Sequence, residues 1–175
     1  MKKVLFIIAK QGFRDEEYFI PKSILEEKFE VKTASNSKEK SIALGFLGGE
    51  AEVDINYEDI NVDDFDAIIF VGGQGALKNL DNEISYKIAQ EAINKNKILC
   101  AICIAPVILA KAGVLKDKKA TVWHSNFDKA PIKILEENGA IFVDEDVVED
   151  GNIITANGPN AAEEFGKKIL KKLES

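Results

Sequence analysis

One histidine and two cysteines are all that 175 residues supply of the softer metal ligands. A structural zinc site draws its ligands mainly from these two residue types, and a disulfide framework needs several cysteine pairs, so neither is expected. Basic residues are also in deficit. The 23 Lys and Arg against 30 Asp and Glu give a formal charge of −7, with a pI near 4.9. A net anion repels phosphate backbones and anionic lipid, so neither nucleic acid nor a membrane surface is an expected partner. The densest basic run, Lys167 to Lys172, falls on a C-terminal helix and reads as a solvated face. No apolar run approaches the length of a membrane span. Met1-Lys2-Lys3 leads directly into Val4-Leu5-Phe6-Ile7-Ile8 and then a polar turn, so no secretory leader is expected. A reducing cytoplasm, where unpaired thiols survive, is the expected address.

What is present is a globular composition, 46% hydrophobic and 30% charged, in a chain long enough for one domain over 1–175 with a sizeable core. Strand and helix signals alternate. Lys3 to Ala9 is a short apolar run, as in a strand covered on both faces. Asp15 to Lys28 has helical spacing with acids in its first turn, and Phe29 to Ala34 alternates as a strand. Between Ser35 and Asn56, Gly45 and Gly48-Gly49 suggest turns between short strands at a sheet edge. Phe65 to Val71 is a buried strand that runs into Gly72-Gly73-Gln74-Gly75. A helix over Ile84 to Asn94, a strand over Lys97 to Ile102 and a helix from Ala105 to Ala112 follow. Lys119 to Trp123 is predicted as a strand and Ala130 to Asn138 as a helix. Asp150-Gly151 signals a hairpin within Ile141 to Ala156. Pro159-Asn160, with Glu163 three residues past Asn160, predicts a capping box on the last helix. The alternation implies parallel pairing with right-handed crossovers, hence a three-layer α/β/α sandwich.

In such sheets ligands bind beyond the carboxyl ends of the strands. Reactive groups fall at several of these ends: Glu17 after the first strand, Gly72 and Gly73 after the Phe65–Val71 strand, Cys103 and His124 further on. Cys103 sits where a strand hands over to a helix, with Ala101 and Ala105 on either side. Small flanking residues permit the tight, strained turn of a nucleophile elbow, and a helix N-terminus beneath it favours a thiolate. A free cysteine at such a place can equally be a small core filler. Cys100 lies three residues earlier within the strand. At roughly 3.3 Å per residue it should stand about 10 Å from Cys103 and on the opposite face, beyond disulfide reach. His124 is the one histidine any Cys–His chemistry must use, or else a packed ring. Gly72 and Gly73 read as turn residues or as bearers of N–H groups for an oxyanion. Their loop lacks the Lys-Ser/Thr ending of a P-loop, and no cofactor motif accompanies it.

Several segments together resemble the DJ-1/PfpI superfamily over nearly the whole chain. They are Val71-Gly72-Gly73-Gln74-Gly75-Ala76, the Ala101-Ile102-Cys103-Ile104-Ala105-Pro106 elbow with Leu109 to Thr121 behind it, the Asp150 to Pro159 segment, and Glu17 four residues before Pro21. The resemblance implies a flavodoxin-like sandwich, usually homodimeric or a higher assembly of dimers. It implies Cys103 as the reactive cysteine, Glu17 as its carboxyl partner, and Gly73 with Ile104 as N–H donors. Ile104 stands where the PfpI-type protease branch has a histidine directly after the cysteine. This weighs against a cysteine peptidase, and His124 one strand later places the chain nearer the DJ-1-like branch. The implied chemistry is glyoxalase III or deglycase activity without a cofactor. Cys103 adds to a small α-oxoaldehyde such as methylglyoxal, and Glu17, with His124 as a second candidate, shuttles protons toward lactate. The alternative is an oxidative-stress sensor in which an oxidant takes Cys103 to sulfenic and sulfinic acid.

Overall fold

The computed structural model describes residues 1–175. Its strands are β1 (Lys3–Ile8), β2 (Gln11–Phe13), β3 (Glu30–Ser35), β4 (Ile42–Gly45), β5 (Glu50–Glu52), β6 (Ile55–Asn56), β7 (Ala67–Phe70), β8 (Ile98–Ile102), β9 (Lys119–Ala120), β10 (Ile141–Phe142), β11 (Val147–Asp150) and β12 (Ile153–Ala156). The helices are α1 (Asp15–Leu25), α2 (Ala76–Leu80), α3 (Glu83–Asn94), α4 (Pro106–Lys111), α5 (Ala130–Glu137) and α6 (Ala162–Glu174). The central sheet runs β11-β12-β8-β7-β1-β3-β6. All of its pairings are parallel except the β11–β12 hairpin, which turns at Gly151.

Period-two alternation along β1 sorts its side chains onto two cores. Leu5 and Ile7 face one cluster, which takes in Leu80, Ile88, Val107 and Leu135 from α2 to α5. Val4, Phe6 and Ile8 face the other, with Tyr18 and Leu25 of α1 and Phe165, Ile169 and Leu173 of α6. The result is the three-layer α/β/α sandwich that the alternation predicts, in the flavodoxin-like form that the resemblance implies. On the second face α1 and α6 approach closely. A Cβ on Gly166 would stand 3.0 Å from Pro21 Cα and 2.9 Å from Ile24 Cδ1.

Three details differ from the sequence reading. The 35–56 region does not simply edge the central sheet: only β6 does, while β4 and β5 join β2 in a separate three-stranded sheet. The strand expected over Lys119–Trp123 shrinks to β9, which pairs with β10 outside the central sheet. The capping box does not form. Pro159–Ala161 make a 3₁₀ turn, α6 starts at Ala162, and Glu163 pairs instead with Lys167 at 2.7 Å. Proline at the turn's first position, with no N–H to give, favours this tighter start. No helix is long and apolar enough to cross a membrane.

Candidate active site

The carboxyl ends of β1, β7, β8 and β12 converge on one rim. The chain order of the parallel strands reverses direction at β1, so the rim beside it is the topological switch point where ligands bind in such sheets.

Cys103 follows the last residue of β8 with φ +65°, left-handed backbone that a non-glycine residue adopts only at some cost. Its main chain is held from two sides. The Cys103 N–H donates to Ala156 O at 2.8 Å, and its own carbonyl accepts from Trp123 N–H at 2.8 Å. These bonds over-determine the strained turn, and Ala105 and Pro106 open α4 directly behind it. The elbow therefore exists as expected. It also breaks the strand alternation: Cys103 packs against the same cluster that contains Cys100, not across the sheet from it. Both cysteines are free. Cys100 is fully buried, whereas Cys103 is partly exposed.

Three acids open α1, and the structure gives each a different partner. Asp15 accepts the N–H groups of Leu47 and Gly49 at 2.8 and 2.7 Å. Glu16 takes two N–H groups of Arg14, each at 3.0 Å. Glu17 points inward with no exposed surface. Its Oε1 accepts the Gly72 N–H at 3.1 Å, and its Oε2 is buried without a hydrogen-bond partner. An orphaned buried oxygen is rare enough to need an explanation, and a carboxyl that carries a proton there supplies one. The carboxyl lies beside the Cys103 thiol, near enough for each to perturb the other.

Gly72 makes this meeting sterically feasible. A Cβ there would stand 2.6 Å from Ile102 O, 2.7 Å from Cys103 Cβ and 2.7 Å from Glu17 Oε1. Gly73, at φ +115°, lets the 12–14 segment pass close by, since a Cβ on Gly73 would stand 2.4 Å from Arg14 N and 2.5 Å from Gly12 O. The Gly72 N–H is committed to Glu17, so it does not serve as the oxyanion donor the sequence suggested. The N–H groups of Gly73 and Ile104 are the ones that approach the thiol.

The electrostatics follow from burial. Loss of water raises the Glu17 carboxyl from an ordinary 4.5 to about 7, against the opposing pull of its hydrogen bonds. Burial, and then the Glu17 charge, push the Cys103 thiol up as well, while the Ile104 and Gly73 N–H groups work the other way. The low thiol pKa expected from a helix N-terminus is therefore absent. Helix α4 is short, and desolvation outweighs it. The pair is built to hold one negative charge, not two, and it should titrate as a unit.

A cleft of about 390 Å³ opens above the thiol. Arg14, Glu17, Gly73, Cys103 and Ile104 line it, with Phe46 and Trp123 among the apolar part of the wall. Sequence reasoning missed Phe46 and Trp123, since neither occupies a motif. His124 is not part of this wall. Its Nδ1 lies 3.0 Å from Val122 O, its Nε2 lies 3.4 Å from Asp144 Oδ1, and its ring packs edge-on to Phe142.

Known proteins share this arrangement of chain. An uncharacterized protein of Methanocaldococcus jannaschii is 42% identical, over 98% of this chain and 82% of its own. Deglycase PfpI of Pyrococcus furiosus is 32% identical over 98% and 99%. Among solved structures, a ThiJ/PfpI domain protein from Brachyspira murdochii superposes with a TM-score of 0.90 at 30% identity, covering 98% of this chain and 96% of that one. Drosophila melanogaster DJ-1beta superposes with a TM-score of 0.86 at 27% identity, covering 98% and 90%. PfpI-named and DJ-1-named proteins both match, so the likeness marks the superfamily and not the DJ-1-like branch in particular. Residues 2–172 match the profile of the DJ-1/PfpI family, and the chain belongs to that family.

Proposed function

We propose that this protein is a cofactor-independent cysteine enzyme that converts small α-oxoaldehydes to 2-hydroxy acids, with methylglyoxal to lactate as the simplest case. The observation that carries the proposal is the buried Glu17 carboxyl beside the Cys103 thiol, its Oε2 unpartnered and its pKa lifted to about 7. A carboxyl in that state can both give and take a proton near neutrality. The deglycase name of the Pyrococcus furiosus relative supports an enzymatic role for this chain.

The steps use groups already in place. Within the singly protonated pair, the thiol proton passes to Glu17 and the Cys103 sulfur adds to the aldehyde carbon. The new alkoxide is held by the Gly73 and Ile104 N–H groups and takes the proton from Glu17, giving a hemithioacetal. Glu17, now a carboxylate, takes the proton from that carbon while the keto oxygen becomes the enediolate oxygen. The hydroxyl proton of the hemithioacetal passes to that oxygen, and Glu17 returns its proton to the former keto carbon, leaving a 2-hydroxy thioester. One carbon is thereby oxidised and the other reduced, with no outside electron carrier. Water then cleaves the resulting thioester to the hydroxy acid and the free thiol. His124 takes no step in this scheme, because its ring faces Val122, Asp144 and Phe142. Hydrolysis of peptides by a Cys–His pair gains no support, since Ile104 follows Cys103 and His124 lies outside the cleft wall.

Lactate formation from methylglyoxal by the purified protein, without glutathione, is the test. The proposal expects turnover in the wild type and none in Cys103→Ala; a wild type that forms no lactate contradicts it. A second reading, peroxide sensing, is favoured by the burial of Cys100. A sulfenate formed on Cys103 would find no resolving thiol and would be carried by further peroxide to sulfinate. Quantitative oxidation at Cys103 without lactate formation would select that reading.

A further inference from the structure

The cleft is larger and more apolar than a triose-sized aldehyde requires. Its volume, about 390 Å³, lies within the roughly 300–1,000 Å³ range of sites that enclose far bigger ligands. Phe46, Leu77, Ile104, Trp123 and Pro159 make the apolar part of its wall. The one cation there, Arg14, is paired with Glu16 through two of its five N–H groups, so its charge is largely offset although three donors remain. Phe46 is the unusual member, an aromatic ring 46% exposed on a short loop. That loop is fastened in place. Asp15 grips the Leu47 and Gly49 N–H groups. Phe46 N–H donates to Phe13 O at 2.8 Å, and Gly45 N–H donates to Gly49 O at 2.7 Å. Gly45 and Gly49 leave the space that the Asp15 carboxylate fills, since a Cβ on either would stand 2.5 Å from Asp15 Oδ2. A buried carboxylate spent on holding an exposed aromatic ring at the mouth of a cleft has a purpose if the ring meets the ligand.

We infer that the preferred substrate is an α-oxoaldehyde whose keto carbon bears an apolar group of about phenyl size, seated against Phe46 and Trp123, with Asp15 as the residue that positions Phe46. The inference rests on the aldehyde chemistry above and adds the substituent. The overall reaction keeps the same balance: an aryl glyoxal and water give an aryl hydroxyacetic acid, the aldehyde hydrogen moving to the keto carbon.

The experiment compares kcat/KM for phenylglyoxal and methylglyoxal. It also measures calorimetric binding of 2-hydroxyacetophenone and hydroxyacetone, their counterparts without an aldehyde. A preference for the phenyl compound of about tenfold or more is expected in both, because even one buried methylene is worth roughly that much discrimination. Phe46→Ala should cut the preference to about threefold or less, again on the scale of lost apolar contact. Phe127→Ala, a fully exposed aromatic outside the cleft, should leave it intact. Asp15→Asn should raise KM for phenylglyoxal by a larger factor than for methylglyoxal, a difference that simple loss of folded protein cannot produce. Equal binding of the two ketones, or a preference indifferent to Phe46, overturns the inference whatever the turnover. Preferential binding with no turnover of either aldehyde upholds the cleft's selectivity and overturns the catalytic reading instead.

Discussion

Glu17 and Gly72 are joined by one hydrogen bond of 3.1 Å, which occupies Oε1 and leaves Oε2 without a partner. The bond fixes which oxygen accepts, and so which one is free to carry a proton toward the thiol. Gly72 is as much a part of this device as Glu17. A methyl group at Gly72 would collide with Ile102 O, Cys103 Cβ and Glu17 Oε1 together, two of them side-chain atoms of the reacting pair. Gly72→Ala should destabilise the fold by about 1–3 kcal/mol, the usual cost of overpacking a filled interior. It should also reduce aldehyde turnover beyond what the lost folded fraction explains. Urea unfolding midpoints set beside activity per folded molecule measure the two effects separately.

Burial of Glu17 predicts a pH dependence of stability. Its folded pKa of about 7 exceeds the ordinary 4.5, so between these values the native state binds more protons than the unfolded chain. Stability from this group is therefore greatest below pH 4.5, falls as pH rises, and levels off above about 7. The total fall is roughly 3 kcal/mol, at about 1.4 kcal/mol per pKa unit. The difference in unfolding free energy between wild type and Glu17→Gln, followed across this range, should decline by that amount. A difference that stays flat would show Glu17 ionising normally.

Thiol reactivity should separate the two cysteines. Cys100 is enclosed in β8 with its pKa pushed up by burial, whereas Cys103 opens on the cleft. Brief alkylation followed by peptide mapping should label Cys103 first by a wide margin. Its rate should rise through an inflection near 7, where the pair loses its first proton, and Glu17→Gln should move that inflection above about 8.5, the free-thiol value. Equal labelling of the two cysteines would contradict the site.

The two remaining proton-transfer candidates should differ in turnover. Glu17→Gln keeps shape and a donor but cannot shuttle a proton, so methylglyoxal turnover should fall by about 10²-fold or more. His124→Asn should cost far less, because the ring is directed at Val122 and Asp144. Steady-state lactate assays on both variants decide between them.

Much of the framework was legible because it depends on local pattern. The runs at β1, β7 and β8 are apolar on both faces, as doubly covered parallel strands must be, and Cys103 between two alanines marks its own turn. What the pattern did not reveal depends on distant segments meeting. The sequence shows three acids at a helix start; only the fold distributes them to the 45–49 loop, to Arg14 and to a dry pocket beside the thiol. Gly45 and Gly49 read as turn glycines, which they are, but the carboxylate that needs their missing side chains lies about thirty residues earlier. The thiol's raised pKa was also beyond reach, since it follows from desolvation that no spacing rule encodes.

The claim at the centre of this account is that Cys103 adds to the aldehyde and Glu17 then moves the hydrogen. Glu17→Gln separates the two steps above about pH 9, where the thiol ionises without the help of Glu17 and the hydrogen transfer still lacks its base. Mass spectrometry of this variant after incubation with methylglyoxal should show an adduct accumulating on the peptide that contains Cys103, while lactate release is all but lost. An unmodified Cys103 peptide, or lactate formed at the wild-type rate, would contradict the account.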